Sequence, residues 1–184
     1  MKTRLLALAA LMSMSTFAAA EDGWRFAPVL SEPGFKFAPT VAAVAGAMDL
    51  TEGDSDTYAG VELNFNCGLV QSPGNRIRSH LMVGQYDKNG VDITTVELSP
   101  RYTVDIGSGW SVGFGPGLGY VRSEVAGQKT SMAALQLVAG VNYRQGLFYA
   151  GADARYQDAR DKTVGGVDLQ LDNWLVAVKA GVNF

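Results

Sequence analysis

Beyond residue 58 the chain alternates. Apolar side chains recur at every second position over runs of about ten residues, with polar residues or glycine between them. A strand sends successive side chains to opposite faces, so each run predicts a strand with one oily face. The last run is the clearest: Trp174, Val176, Val178, Ala180, Val182 and Phe184 share one face, while Asn173, Lys179, Gly181 and Asn183 fall on the other. Segment 94–106 sets Val96, Leu98, Pro100, Tyr102, Val104 and Ile106 against Thr95, Glu97, Ser99, Arg101, Thr103 and Asp105.

Similar patterns occupy 58–70, 110–120, 135–144 and 148–157, and weaker ones 35–48 and 76–86, giving eight predicted strands. In the segment 58–70, Ala59, Val61, Leu63, Phe65, Cys67 and Leu69 form the oily face and Gly60, Glu62, Asn64, Asn66 and Gly68 the other. Trp110 and Tyr120, like Trp174 and Phe184, stand ten residues apart on an oily face. At about 3.3 Å per residue and a tilt near 40°, such a span covers roughly 25 Å. That is the height of the apolar band of a membrane barrel, which carries aromatic girdles at both edges. Trp110, Tyr120, Phe148, Tyr156, Trp174 and Phe184 are the expected interface aromatics.

The connections alternate in length. Ser72–Asn75, Gly107–Gly109 and Gln145–Gly146 read as tight turns, whereas Asp49–Thr57, Asp87–Asp92, Ser123–Ser131 and Asp158–Asp168 read as longer polar loops. In an up-and-down barrel with an even strand count, both termini then lie at the short-turn, periplasmic end.

At the N-terminus, Lys2 and Arg4 precede an apolar stretch from Leu5 to Met12 and the small residues Ala18 and Ala20, the pattern of a secretory signal peptide over residues 1–20. No later segment reaches the length of an apolar spanning helix. An exported chain that crosses a membrane without helices needs a closed barrel, because lipid cannot satisfy an open strand edge. Residues 35–184 are the expected barrel domain. Residues 21–34 fit it least: Trp24, Phe26, Pro28 and Leu30 alternate, but Pro28 and Pro33 interrupt them. A periplasmic tail is expected there, with a ninth strand or a plug of the barrel mouth as alternatives.

Composition narrows the function. The formal net charge of −3 and the absence of Lys/Arg blocks argue against nucleic acid. The single Cys67 can form no internal disulfide and has no metal-site spacing around it, so it reads as a small residue on an outer strand face. Gly113, Gly115, Gly117 and Gly119 keep strict period two, with Leu118 where a dinucleotide fingerprint needs glycine, so they read as a bare inward face. The predicted inward charges are Glu62, Glu97 and Asp153 against Arg101, Arg155 and Lys179, with Arg78 and Arg144 joining them. An interior barely wide enough for side chains favours a salt-bridged plug, the alternative being a narrow polar pathway. His80 is the only histidine; Ser79 beside it would point to the opposite face, and Met82 stands where a His-x-Ser motif needs serine. Asp49, Glu52, Asp54 and Asp56, and later Asp158, Arg160, Asp161, Lys162 and Asp168, lack calcium-loop spacing and read as solvated loops.

The strand Glu97–Tyr102, the glycine-alternating strand Gly113–Tyr120 and the closing Ala180–Phe184 resemble the small eight-stranded outer-membrane β-barrels, the group of the opacity proteins and the adhesion and invasion barrels. The resemblance implies an all-β, antiparallel, up-and-down transmembrane barrel in the outer membrane of a Gram-negative bacterium, without cofactor or metal. It also implies that Val182 and Phe184 act as the signal read by the outer-membrane assembly machinery. One departure is that Lys179 stands where the family's closing strand commonly has glycine. A soluble lipocalin-like barrel, which alternates with its apolar face inward, is the competing fold. The expected function is that of a monomeric, non-enzymatic barrel whose outer loops contact lipopolysaccharide, host surface or protein partners. A small porin-like channel and a lipid A-modifying enzyme are the alternatives.

Overall fold

The computed structural model describes residues 23–50, 55–88, 91–125, 128–159, 162–164, 167–169 and 172–184. The predicted signal peptide, and Glu52, Asp54, Arg160 and Asp161 of the predicted loops, lie outside the described residues.

Eight strands close into an antiparallel barrel: β1 (Thr40–Leu50), β2 (Ser55–Asn66), β3 (Ile77–Lys88), β4 (Val91–Gly107), β5 (Trp110–Val125), β6 (Gln128–Gln145), β7 (Phe148–Ala159) and β8 (Asn173–Asn183). Each pairs with its neighbours in sequence, and β8 closes the cylinder on β1 from Asn173↔Leu50 to Asn183↔Thr40. The expected all-β up-and-down barrel is therefore the fold observed. Its faces are inverted relative to a soluble barrel: Val96, Leu98, Leu118, Leu137, Val176 and Val178 are exposed on the outer wall, whereas Glu62, Glu97, Arg155 and Lys179 are buried inside. The lipocalin-like alternative, which turns its apolar face inward, is ruled out by this arrangement.

Four details differ from the sequence expectation. First, β2 ends at Asn66 rather than running to Val70. The chain folds back there: the Cys67 N–H donates to the Ile77 carbonyl, and the Gln71 side chain brackets Ile77 by accepting from its N–H (3.1 Å) and donating to its carbonyl (2.7 Å) and that of Cys67 (3.0 Å). Cys67 is consequently buried, not on an outer strand face.

Second, β1 starts at Thr40, so Phe35 to Pro39 precede the barrel. Third, two predicted loops are strand. Pairing runs through Asp87↔Asp92 and Lys88↔Val91, and through Ser123↔Thr130, Glu124↔Lys129 and Val125↔Gln128. Strands β4, β5 and β6 have 17, 16 and 18 residues against the 11 of β1 and β8, and at the loop end β6 starts six residues before its pairing with β7 begins at Ala134↔Ala159. The last loop likewise contains a short hairpin, Lys162–Val164 against Val167–Leu169. Fourth, residues 23–34 form a short strand, Arg25–Phe26, paired with Val70–Gln71, followed by a single helical turn, Pro28–Ser31.

Gln71 is fully buried, partners the Ile77 N–H and the Cys67 carbonyl, and is a second donor to the Ile77 carbonyl that the Cys67 N–H already reaches. Gln71→Ala should therefore lower stability by about 1–3 kcal/mol, the usual cost of stranding buried polar groups. Urea unfolding of the refolded barrel, followed by tryptophan emission, measures it.

Candidate functional site

The lumen holds the only concentration of chemistry among the described residues. Alternation brings it there: Glu62 on β2, Arg101 on β4, Asp153 on β7 and Lys179 on β8 all have inward parity, and curvature brings the four strands across from one another. Lys179 Nζ lies 3.1 Å from both oxygens of Glu62 and 2.8 Å from Asp153 Oδ2. Arg101 Nη1 donates to the same Asp153 oxygen at 2.8 Å, and its Nη2 lies 3.8 Å from Glu62 Oε2. The four groups form a closed circuit of alternating charge across the barrel.

Neutral donors complete it. Asn64 Nδ2 donates to Glu62 Oε1 at 3.0 Å, and the Tyr149 hydroxyl, which donates to Asn142 Oδ1 at 2.6 Å, lies 3.5 Å from the same Glu62 oxygen. Glu62 is 0% exposed, so an ionised carboxylate there depends entirely on these partners.

Glu97 and Arg155, expected in the same network, form a separate pair nearer the loop end. Arg155 bonds Glu97, donates to Asn173 Oδ1 at 2.9 Å, and lies 5.7 Å from the centre of the Tyr58 ring. Gln136 Nε2 donates to Gln157 Oε1 at 2.7 Å beside them. Among the described residues Arg78 and Arg144 reach no carboxylate: both donate to Asn64 Oδ1 at the short-turn end, each at 2.9 Å. Bare glycines make the room: a Cβ on Gly117 would stand 2.8 Å from Gln136 Oε1.

The rest of the lumen was not visible in the oily-face pattern. Met48, Leu50, Tyr58, Met82, Tyr86, Ile93, Val121, Met132 and Leu175 form a buried apolar cluster in the half of the lumen nearer the loops. Leu175 and Ala177 share the parity of Lys179, which is the signal that could have found them. The loop half of the interior thus mixes this apolar cluster with the buried Glu97–Arg155 pair and the polar side chains of Gln136, Gln157 and Asn173.

His80 points into the lumen and is buried, with Nδ1 3.1 Å from Glu62 Oε1 but not aligned for a hydrogen bond. Ser79, in register with Pro100, belongs to the opposite face, so the two do not form a nucleophile and base pair. No group of three or more His, Cys, Asp or Glu among the described residues could hold a metal.

The expected interface aromatics fall into two rings. Tyr156 and Trp174 pack at 5.0 Å near the loop end, where Tyr120 also sits exposed. Trp110 packs on Tyr143 at 5.0 Å and Tyr143 on Phe148 at 6.2 Å near the short turns, with Phe184 exposed at the same end. The Phe184 N–H donates to the Pro39 carbonyl at 2.9 Å, and Val182 is exposed on the outer wall.

The barrel is shared with proteins of known structure. The crystal structure of Neisserial surface protein A superposes with a TM-score of 0.53 at 17% identity, over 80% of this chain and 95% of that one. That of Ail, the attachment invasion locus protein of Yersinia pestis, gives 0.51 at 12% identity, over 82% of this chain and all of the other. At such identities the likeness is one of fold. No protein-family model matches the chain, and no curated protein matches it in sequence.

Removing one member of the circuit leaves the others buried without their partner. Lys179→Met should destabilise the barrel by about 3–5 kcal/mol. Adding Glu62→Gln should recover part of that loss, because the stranded carboxylate is then neutral. A double-mutant cycle in urea measures the coupling.

Proposed function

We propose that the chain is a non-enzymatic outer-membrane β-barrel protein, inserted with its short turns toward the periplasm. Its β4–β6 strands at the loop end and the last hairpin would meet lipopolysaccharide, a host surface or a protein partner. One observation carries this reading: a closed barrel with an apolar wall outside and a packed, ion-paired interior. Such a wall suits lipid, and water would penalise it over its whole height. The two aromatic rings flank that wall, as in barrels that sit in a bilayer. Val182 and Phe184, at the open end of the closing strand, are the residues offered to the assembly machinery in this scheme. The packed interior favours a barrel without conductance, and the enclosed His80 without a nucleophile beside it favours one without catalysis.

Purified outer membranes should contain the protein, and its gel mobility should change on boiling; recovery in the soluble periplasm would overturn the proposal. Val178, on the outer wall near mid-height and 64% exposed, provides a finer test. Val178→Arg should cost about 2–4 kcal/mol of stability in vesicles, the midplane penalty for arginine on a lipid-facing site.

For the lumen, planar-bilayer recording of the refolded protein should give no discrete conductance steps. Regular steps would favour the channel alternative.

A further inference from the structure

One apolar surface lies outside the barrel wall and is unaccounted for by it. The segment that precedes the barrel is pinned rather than trailing. Arg25 and Phe26 pair with Gln71 and Val70, the Ala27 N–H donates to the Leu69 carbonyl at 2.7 Å, and the Val29 N–H donates to the Gly68 carbonyl at 3.3 Å. Its charges are turned on their neighbours: Arg25 Nη1 donates to Glu32 Oε2 at 2.6 Å, and Nη2 bonds Asn75. The remaining face is oily. Phe26 is 75% exposed, Leu30 86% and Leu69 76%, with Trp24 also exposed beside them.

We infer that residues 24–30, with Leu69, form a foot that seats in the lipid at the short-turn end of the barrel, its occupant being the acyl chains of the surrounding phospholipid leaflet. The inference rests on the membrane reading above. Its own support is continuity with the lipid-facing wall. Ile77 and Tyr102 are register partners, and Trp24, Phe26 and Val70 line one apolar hollow with them and with Phe114. The foot is therefore continuous with the apolar wall at the short-turn end, the end of the barrel that also carries the aromatics Trp110, Tyr143 and Phe148. Large aromatic and aliphatic side chains on a short element with its polar groups internally paired suit the boundary between headgroups and acyl chains. A tail in periplasmic water would expose the same side chains at a cost, and a plug of the lumen would turn them inward.

The three tryptophans make the test direct. Protein with Trp24 alone (Trp110→Phe, Trp174→Phe) is refolded into phosphatidylcholine vesicles whose acyl chains are dibrominated near the headgroup, and compared with protein retaining Trp174 alone. Trp24 emission should be quenched by the brominated lipid as strongly as that of Trp174, and little affected by iodide in the aqueous phase. Quenching of Trp174 by lipid with quenching of Trp24 by iodide would overturn the foot while leaving the membrane reading intact. Loss of lipid quenching at both would overturn the membrane reading itself. Protection of Trp24 from both quenchers would mean that protein, such as a second copy of the chain, covers the foot, and would also overturn the inference. Should the double substitution impair refolding, the difference in quenching between wild type and Trp24→Phe isolates the same residue.

Discussion

Closure of the sheet governs everything else in this molecule. Eight strands joined by ladders on both sides leave no strand edge within the barrel, so the backbone is satisfied internally and the wall is free to be apolar. The same closure fixes the interior at a width that side chains must fill. An outer wall free to be apolar and an inner space without room are two results of one geometric fact. Every inward residue must therefore either pack or find a partner.

The lumen meets that demand in two different ways. Around Glu62, four charged groups from β2, β4, β7 and β8 neutralise one another in a closed circuit, tying strands from different sides of the barrel. Nearer the loops, methionines, tyrosines and branched aliphatics pack around the Arg155–Glu97 pair. Buried ion pairs add little net stability, but once built each member becomes costly to remove. Each member of the circuit is therefore held by partners on other strands. Lys179 illustrates this: its side chain joins Glu62 on β2 to Asp153 on β7. Its register partner on β7 is Gly151, where a Cβ would stand 3.1 Å from Lys179 Cε.

Alternation was the legible part. The parity of Val96 against Glu97, or of Val178 against Lys179, states which residues share a face, because a strand has no other way to distribute its side chains. It could not state where a strand ends. Asp87 to Asp92 and Ser123 to Ser131 read as loops because both parities become polar there, yet hydrogen bonding continues wherever a neighbouring strand is available. Conversely, Leu69 keeps the parity of the oily face but leaves the sheet, since Gln71 and Cys67 bond back to Ile77.

By itself, then, the sequence determined the faces, the strand count and the inventory of inward charges, all of which follow from period two along a single strand. Only the tertiary structure decided which charges meet, that Glu97 and Arg155 pair apart from the Glu62 circuit, and that Arg78 and Arg144 stop at Asn64. It also decided that the segment before the barrel docks on residues 68–71 with its oily side outward. The reason is that parity is a property of one strand, whereas contact across a lumen depends on stagger and curvature, which arise only when eight strands close together.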